Sequence, residues 1–91
     1  MEDNLQSLNL YPNPNAGIFI IDLNTGTTSE ATVDIQIMNM VGQVVYLDRT
    51  KLSDGKLQKE VKLGNDIAAG TYFVRVLSGD QVFTGQITYE Q

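Results

Sequence analysis

The 91-residue chain contains no cysteine and no histidine. The first absence excludes disulfides and thiolate-held zinc. It does not fix the compartment, because bacterial secreted domains often fold without disulfides. The second removes the commonest general base and the commonest transition-metal ligand together. Proline occurs only at positions 12 and 14. No apolar run approaches the ~20 residues of a membrane-spanning helix. The opening Met1-Glu2-Asp3-Asn4 is not a signal peptide, so a secreted protein would carry its export signal upstream or have this whole chain as the signal. Positive charge is also scarce: six Lys and Arg against eleven Asp and Glu leave a net charge of −5. That charge is scattered and reads as solubility, and the basic stripe that nucleic acid requires is missing.

What is present points to one small domain with a single thin core. A chain of this size buries only somewhat over ~60% of its unfolded surface, and 42% apolar residues suffice for it to fold alone. The periodicity is that of strands throughout, with no helical stripe sustained over three turns. Val33, Ile35 and Ile37 alternate with Asp34 and Gln36. Further along, Gln58, Glu60 and Lys62 share a face toward water. Tyr72, Val74 and Val76 form one face of a later run, and Phe73, Arg75 and Leu77 form the other, at most partly covered. Strands are predicted at 5–11, 18–24, 32–39, 43–51, 57–63, 71–78 and 81–89. Between them lie the loop Asn24 to Ser29 and the turns Ser53-Asp54-Gly55-Lys56 and Ser78-Gly79-Asp80. Val41-Gly42 is expected to close a tight hairpin, since glycine accepts the positive φ of primed turns. Seven short antiparallel strands at this spacing predict an all-β, immunoglobulin-like β-sandwich. Tyr72, near the start of the penultimate strand, has the position of a tyrosine corner, whose hydroxyl bonds back to upstream backbone; the plainer reading is an ordinary strand aromatic.

The segment Tyr11-Pro12-Asn13-Pro14-Asn15-Ala16-Gly17 stands apart. Each proline fixes φ and removes a backbone donor, so this stretch cannot lie inside a sheet. Tyr11 and Asn13 are pushed toward extended geometry, and Asn15-Ala16-Gly17 supplies turn chemistry. A rigid connection is expected here, marking the first strand crossing of the sandwich. Its prolines serve either to block edge pairing or to contact a partner.

Residues suited to catalysis are few. Ser53 lies near Lys51 and Lys56, but around a turn, where a lysine stays solvated and protonated. Asp22, Asp34, Asp48, Asp54, Asp66 and Asp80 mostly sit at strand ends or turns, where aspartate is favoured for local hydrogen bonds. Asn13, Asn15 and Asp66 could meet around calcium at one end of a sandwich, yet the spacing of a calcium loop is missing and turn roles explain them better. The eight glycines fall one per turn and cradle no phosphate. Tyr11, Tyr46, Tyr72 and Tyr89 would permit a sugar-stacking platform, but three lie in apolar alternating runs that favour packing. No cofactor and no metal are expected.

Three ordered stretches carry a family resemblance. They are Leu10-Tyr11-Pro12-Asn13-Pro14 with Gly17, the strand–glycine–strand text from Val33 through Gly42 to Val45, and Leu63 with Asp66-Ile67-Ala68-Ala69-Gly70-Thr71-Tyr72-Phe73-Val74-Arg75-Val76. Together they resemble the C-terminal sorting domain, type A, of proteins exported by the type IX (Por) secretion system of Bacteroidetes. The resemblance covers residues ~8 to 91, by the order and spacing of motifs that are weak singly. It implies a non-enzymatic secretion signal of 8–91, preceded by a linker of 1–7 that holds part of the first strand. It also implies an upstream cargo domain, passage through the type IX outer-membrane translocon, and removal by a surface signal peptidase at or before the first strand. The cargo would end at the cell surface or in the medium. The motif residues that carry over are Tyr11, Pro12, Asn13, Pro14, Gly17, Gly42, Gly70 and Tyr72. Many members of the family have basic residues in the last strand or at the very end, whereas this chain ends Thr84-Gly85-Gln86-Ile87-Thr88-Tyr89-Glu90-Gln91. The alternative is an accessory fibronectin-like or carbohydrate-binding module of an extracellular enzyme.

Overall fold

The structure, a computed structural model, describes residues 6–64 and 66–90. Leu5, expected to open the first strand, and Gln91 lie outside the described residues. Seven strands follow in chain order: β1 (Ser7–Tyr11), β2 (Ile18–Asn24), β3 (Thr32–Met38), β4 (Val44–Lys51), β5 (Lys56–Lys62), β6 (Gly70–Ser78) and β7 (Gln81–Tyr89). They form two antiparallel sheets, a three-stranded one ordered β1-β2-β5 and a four-stranded one ordered β4-β3-β6-β7. The chain changes sheet between β2 and β3, between β4 and β5, and between β5 and β6. The predicted β-sandwich is present. Its strand order pairs β4 with β3 in the larger sheet, whereas a constant-type immunoglobulin domain keeps its fourth strand on the first sheet.

Alternation decides which face of each sheet turns inward, because successive side chains on a strand point to opposite sides. Phe19, Ile21 and Leu23 of β2 are fully buried, as are Val33, Ile35 and Ile37 of β3 and Val74 and Val76 of β6. Val61, Ile87, Tyr72 and Tyr89 join them in one core cluster. Burying each such side chain contributes about 1.5–3 kcal/mol, against about 1 kcal/mol for a typical hydrogen bond. A one-residue slip would turn the whole apolar row of a strand out to water, so the register is firmly specified. The outer residues Phe73, Arg75 and Leu77 are half-buried, as the placement of Arg75 required.

The end of the sandwich holding the β4–β5 turn is tied by backbone. Asp54 and Gly55 have φ of 56° and 75°, the type I′ pattern, and Ser53 and Lys56 exchange backbone hydrogen bonds at 2.8 and 3.0 Å. The buried Thr25 donates its N–H to the Gly55 carbonyl at 2.9 Å and its hydroxyl to the same oxygen at 2.7 Å. In return, Gly55 N–H donates to the Ser29 carbonyl at 2.7 Å. A Cβ on Gly55 would lie 1.9 Å from the Thr27 carbonyl oxygen, so only glycine fits. Leu52, on the same connection, is buried in the core.

Candidate functional site at the motif-bearing end

The three sequence motifs converge on the opposite end of the sandwich. The first of them does more than join two strands. Pro12 and Pro14 carry no N–H, so the chain between them cannot continue as a hydrogen-bonded strand. Both X–Pro bonds, Tyr11-Pro12 and Asn13-Pro14, are cis. The segment instead lies along the outer edge of β7, the last strand of the other sheet. Asn13 Nδ2 donates to the Gln86 carbonyl at 3.0 Å, and Asn13 Oδ1 accepts the Thr88 N–H at 2.9 Å. Asn15 N–H donates to the Thr88 carbonyl at 3.0 Å, and the Asn15 carbonyl accepts the Glu90 N–H at 2.8 Å. The side-chain amide of Asn13 thus stands in for the peptide groups that the prolines deny. Four successive outward groups at the end of β7 and just beyond it, from the Gln86 carbonyl to the Glu90 N–H, are taken.

This corrects the expected strand crossing. β1 and β2 are neighbours in one sheet, and residues 12–15 make an excursion to the edge of the other. The excursion is locked from within. Asn15 is buried, its Oδ1 accepts the Gly17 N–H at 2.9 Å, and its Nδ2 donates to the Pro12 carbonyl at 3.3 Å. A Cβ on Gly17 would sit 3.2 Å from Cε1 of Tyr89, so that ring packs against the glycine backbone. The Gly17 carbonyl accepts the Leu63 N–H at 2.7 Å, which joins the first motif to the start of the third. Tyr11 closes β1, remains substantially exposed, and accepts Gln58 Nε2 at 3.3 Å on its hydroxyl.

The second motif forms the β3–β4 hairpin, with a different turn from the tight one expected. Gly42 has the positive φ, 87°, but Val41 does not, so the turn is not a primed two-residue one. Instead Gly42 N–H donates to the Asn39 carbonyl at 3.0 Å, and Asn39 N–H donates to the Gln43 carbonyl at 2.9 Å. That is a three-residue loop with glycine at its left-handed position. The Asn39 side chain organises it by accepting the N–H groups of Val41 at 3.1 Å and Gln43 at 2.9 Å. A register shift follows at Ile37/Met38. Met40 and Val41 are left at the tip, 67% and 86% exposed.

The third motif leads into β6 beside that tip. The Tyr72 ring is buried, and its hydroxyl donates to the Ala68 carbonyl four residues upstream, the geometry of a tyrosine corner. A groove of about 270 Å³ runs between Met40 and Val41 on one side and residues 68–72 on the other. A second, of about 400 Å³, is lined by Asn39, Gln43, Asp66 and Tyr72. Gly70, at the start of β6, pairs with Tyr89, the residue that also meets Asn15 and Gly17. All eight motif residues therefore lie at one end, where Tyr89 meets both Gly17 and Gly70.

This end offers an apolar tip at Met40-Val41 and a polar groove lined by Asn39, Gln43 and Asp66. Both amide oxygens of the calcium candidates, Asn13 and Asn15, are committed to backbone N–H groups. Among the described residues, no group of three or more His, Cys, Asp or Glu is placed to hold a metal ion. Ser53 lies in the turn at the far end, where it meets Lys56 through backbone alone. Asp34 pairs with Arg49 and Asp48 with Lys59, both along β4. The tyrosines are dispersed: Tyr72 and Tyr89 are buried, Tyr46 is half-buried against Asp48, and Tyr11 is exposed beside Gln58. Among the described residues, no helix is long and apolar enough to cross a membrane.

The family described as secretion system C-terminal sorting domain matches residues 9–90. The chain belongs to that family. No curated protein matches it. Sorting domains of this type serve type IX secretion and are in general non-catalytic. Membership implies interaction with that system, an upstream cargo, and export across the outer membrane to the surface or medium.

Sequence reasoning missed one structural residue of this sorting domain. Gly85 stands at an inward position of β7, and a Cβ there would lie 2.6 Å from Leu10 Cδ1 and 3.4 Å from Leu8 Cδ2. The missing side chain makes room for β1 against β7. Its signal was legible, since glycine inside an alternating strand marks a close approach. The partners of Asn13 carried no such signal, lying 73 and 75 residues away.

Two substitutions test this end. Tyr72→Phe removes only the hydroxyl and is expected to lower stability by about 1 kcal/mol in denaturant unfolding; an unchanged midpoint would argue against the corner bond. Asn13→Ala loses two exposed backbone-directed bonds and is expected to cost about 1 kcal/mol as well, water replacing part of each. Wild-type stability in Asn13→Ala would mean that the amide does not hold β7.

Proposed function

We propose that this chain is a non-catalytic secretion signal that takes an upstream cargo domain through the type IX translocon and is then cleaved off. The family match over residues 9–90 carries the reading. We read residues 8–91 as the sorting domain and 1–7 as linker with part of the first strand, which agrees with β1 beginning at Ser7. The surface signal peptidase would then cut at or before β1, around residues 1–7 or upstream. A non-enzymatic role is supported by the lack of histidine and cysteine and by the dispersal of the carboxylates into ion pairs and turns.

The assembled end is the part we assign to recognition. The polar atoms of Asn13 and Asn15 are consumed by the fold, so a partner would meet proline rings, the Met40-Val41 tip and the exposed Ala68 and Ala69. The Met40-Val41 tip and Ala68-Ala69 line one groove, and apolar groups exposed together mark interaction surfaces. On this reading the prolines do both tasks left open by the sequence: they cap an edge and they shape the face that is read.

A reporter fused ahead of this domain, in a host with the type IX system, is expected to reach the cell surface or medium. Retention in the periplasm with the domain intact and folded would sink the proposal.

A further inference from the structure

The sandwich closes its second open side by a different device from the one on β7. Leu52 N–H donates to the Ala31 carbonyl at 3.0 Å, which makes Ala31 and Leu52 a hydrogen-bonded pair. Antiparallel ladders alternate bonded and non-bonded pairs. The register Thr32↔Lys51, Asp34↔Arg49 and Gln36↔Leu47 therefore turns the backbone groups of Leu47, Arg49 and Lys51 away from β3. β4 is the last strand of its sheet, and among the described residues no segment pairs with that edge. It holds no proline, and Val44 and Leu47 are 46% and 67% exposed. An edge of this kind is a template for another strand.

A side chain occupies its central donor. Asp48 Oδ1 accepts the Arg49 N–H at 2.8 Å. Asp48 Oδ2 accepts Lys59 Nζ at 3.1 Å and the Tyr46 hydroxyl at 3.3 Å. Lys59 belongs to β5, the edge of the other sheet, so one carboxylate ties two edges together. The Lys59 ammonium, and then the Arg49 N–H, hold the Asp48 carboxyl below the usual aspartate range. Burial, and then the Asp48 charge, push the Tyr46 phenol up, so it remains a donor.

We propose that Asp48 is an edge guard: pinned by Lys59 and Tyr46, it fills the Arg49 donor and keeps a second copy of this chain from pairing along β4. A second copy is the strand that fits. In an antiparallel pairing centred on Leu47, the exposed Leu47 meets the second copy's Leu47 and Arg49 falls opposite Val45, so no like charges face each other. Centring the pair on Arg49 instead would set like charges opposite each other, which is unfavourable. The Leu47-centred register needs the Arg49 N–H that Asp48 holds.

The test is sedimentation velocity over a concentration series of the 91-residue chain. Wild type should remain at monomer mass, Asp48→Ala should approach twice that mass, and Asp48→Ala/Arg49→Pro, which deletes the donor, should return to monomer. A folded Asp48→Ala that stays monomeric overturns the proposal, as does a dimer that survives the added proline. Amide exchange of the wild type gives a second reading that does not depend on a variant folding. The Arg49 N–H should exchange more slowly than the equally outward N–H groups of Leu47 and Lys51, and equal rates would overturn the guard.

Discussion

The last strand of this sandwich pairs with β6 along its whole length, and its other edge is closed over the second half by a segment that cannot itself be a strand. Sheet edges left open recruit further strands, and a strand laid on the edge would only move the problem outward. Residues 12–15 avoid that outcome. Their inward side supplies hydrogen bonds to Gln86, Thr88 and Glu90, and the two prolines bring no N–H for anything beyond. Other features of this end depend on the excursion: the burial of Asn15, the packing of Tyr89 on Gly17, and the Gly17–Leu63 bond that anchors the β5–β6 connection.

A secretion label benefits from such construction. The chain has no cysteine to staple its 91 residues, so its thin core and its edge caps carry the fold alone. The three stretches that stood out in the sequence are separated along the chain yet gather at one end. A partner reading that end would read whether the domain has folded. The two sides of the sandwich are closed by different means, backbone and amide on β7, an inward ion pair between β4 and β5.

The strands were legible because their physics is local. Val33 to Ile37 alternates in text and in burial alike, and the predicted 18–24 and 81–89 coincide with β2 and β7. Tyr72 was legible for the same reason, its partner Ala68 being four residues away. The β3–β4 turn was misread because glycine alone does not report loop length; Asn39, three residues earlier, sets it by binding two backbone N–H groups. The cap was beyond the sequence. Asn13 reads as a turn residue, and only the folded chain brings it against β7. The proline pair did announce an edge, without saying which one.

Amide hydrogen exchange along β7 tests the central claim most directly. Val82, Thr84, Thr88 and Glu90 all turn their N–H groups to the outer edge, and only the last two have partners among the described residues, in Asn13 and Asn15. The account predicts slow exchange at Thr88 and Glu90 and fast exchange at Val82 and Thr84. Uniformly fast exchange along that edge would show that residues 12–15 do not cap it, and would contradict the account.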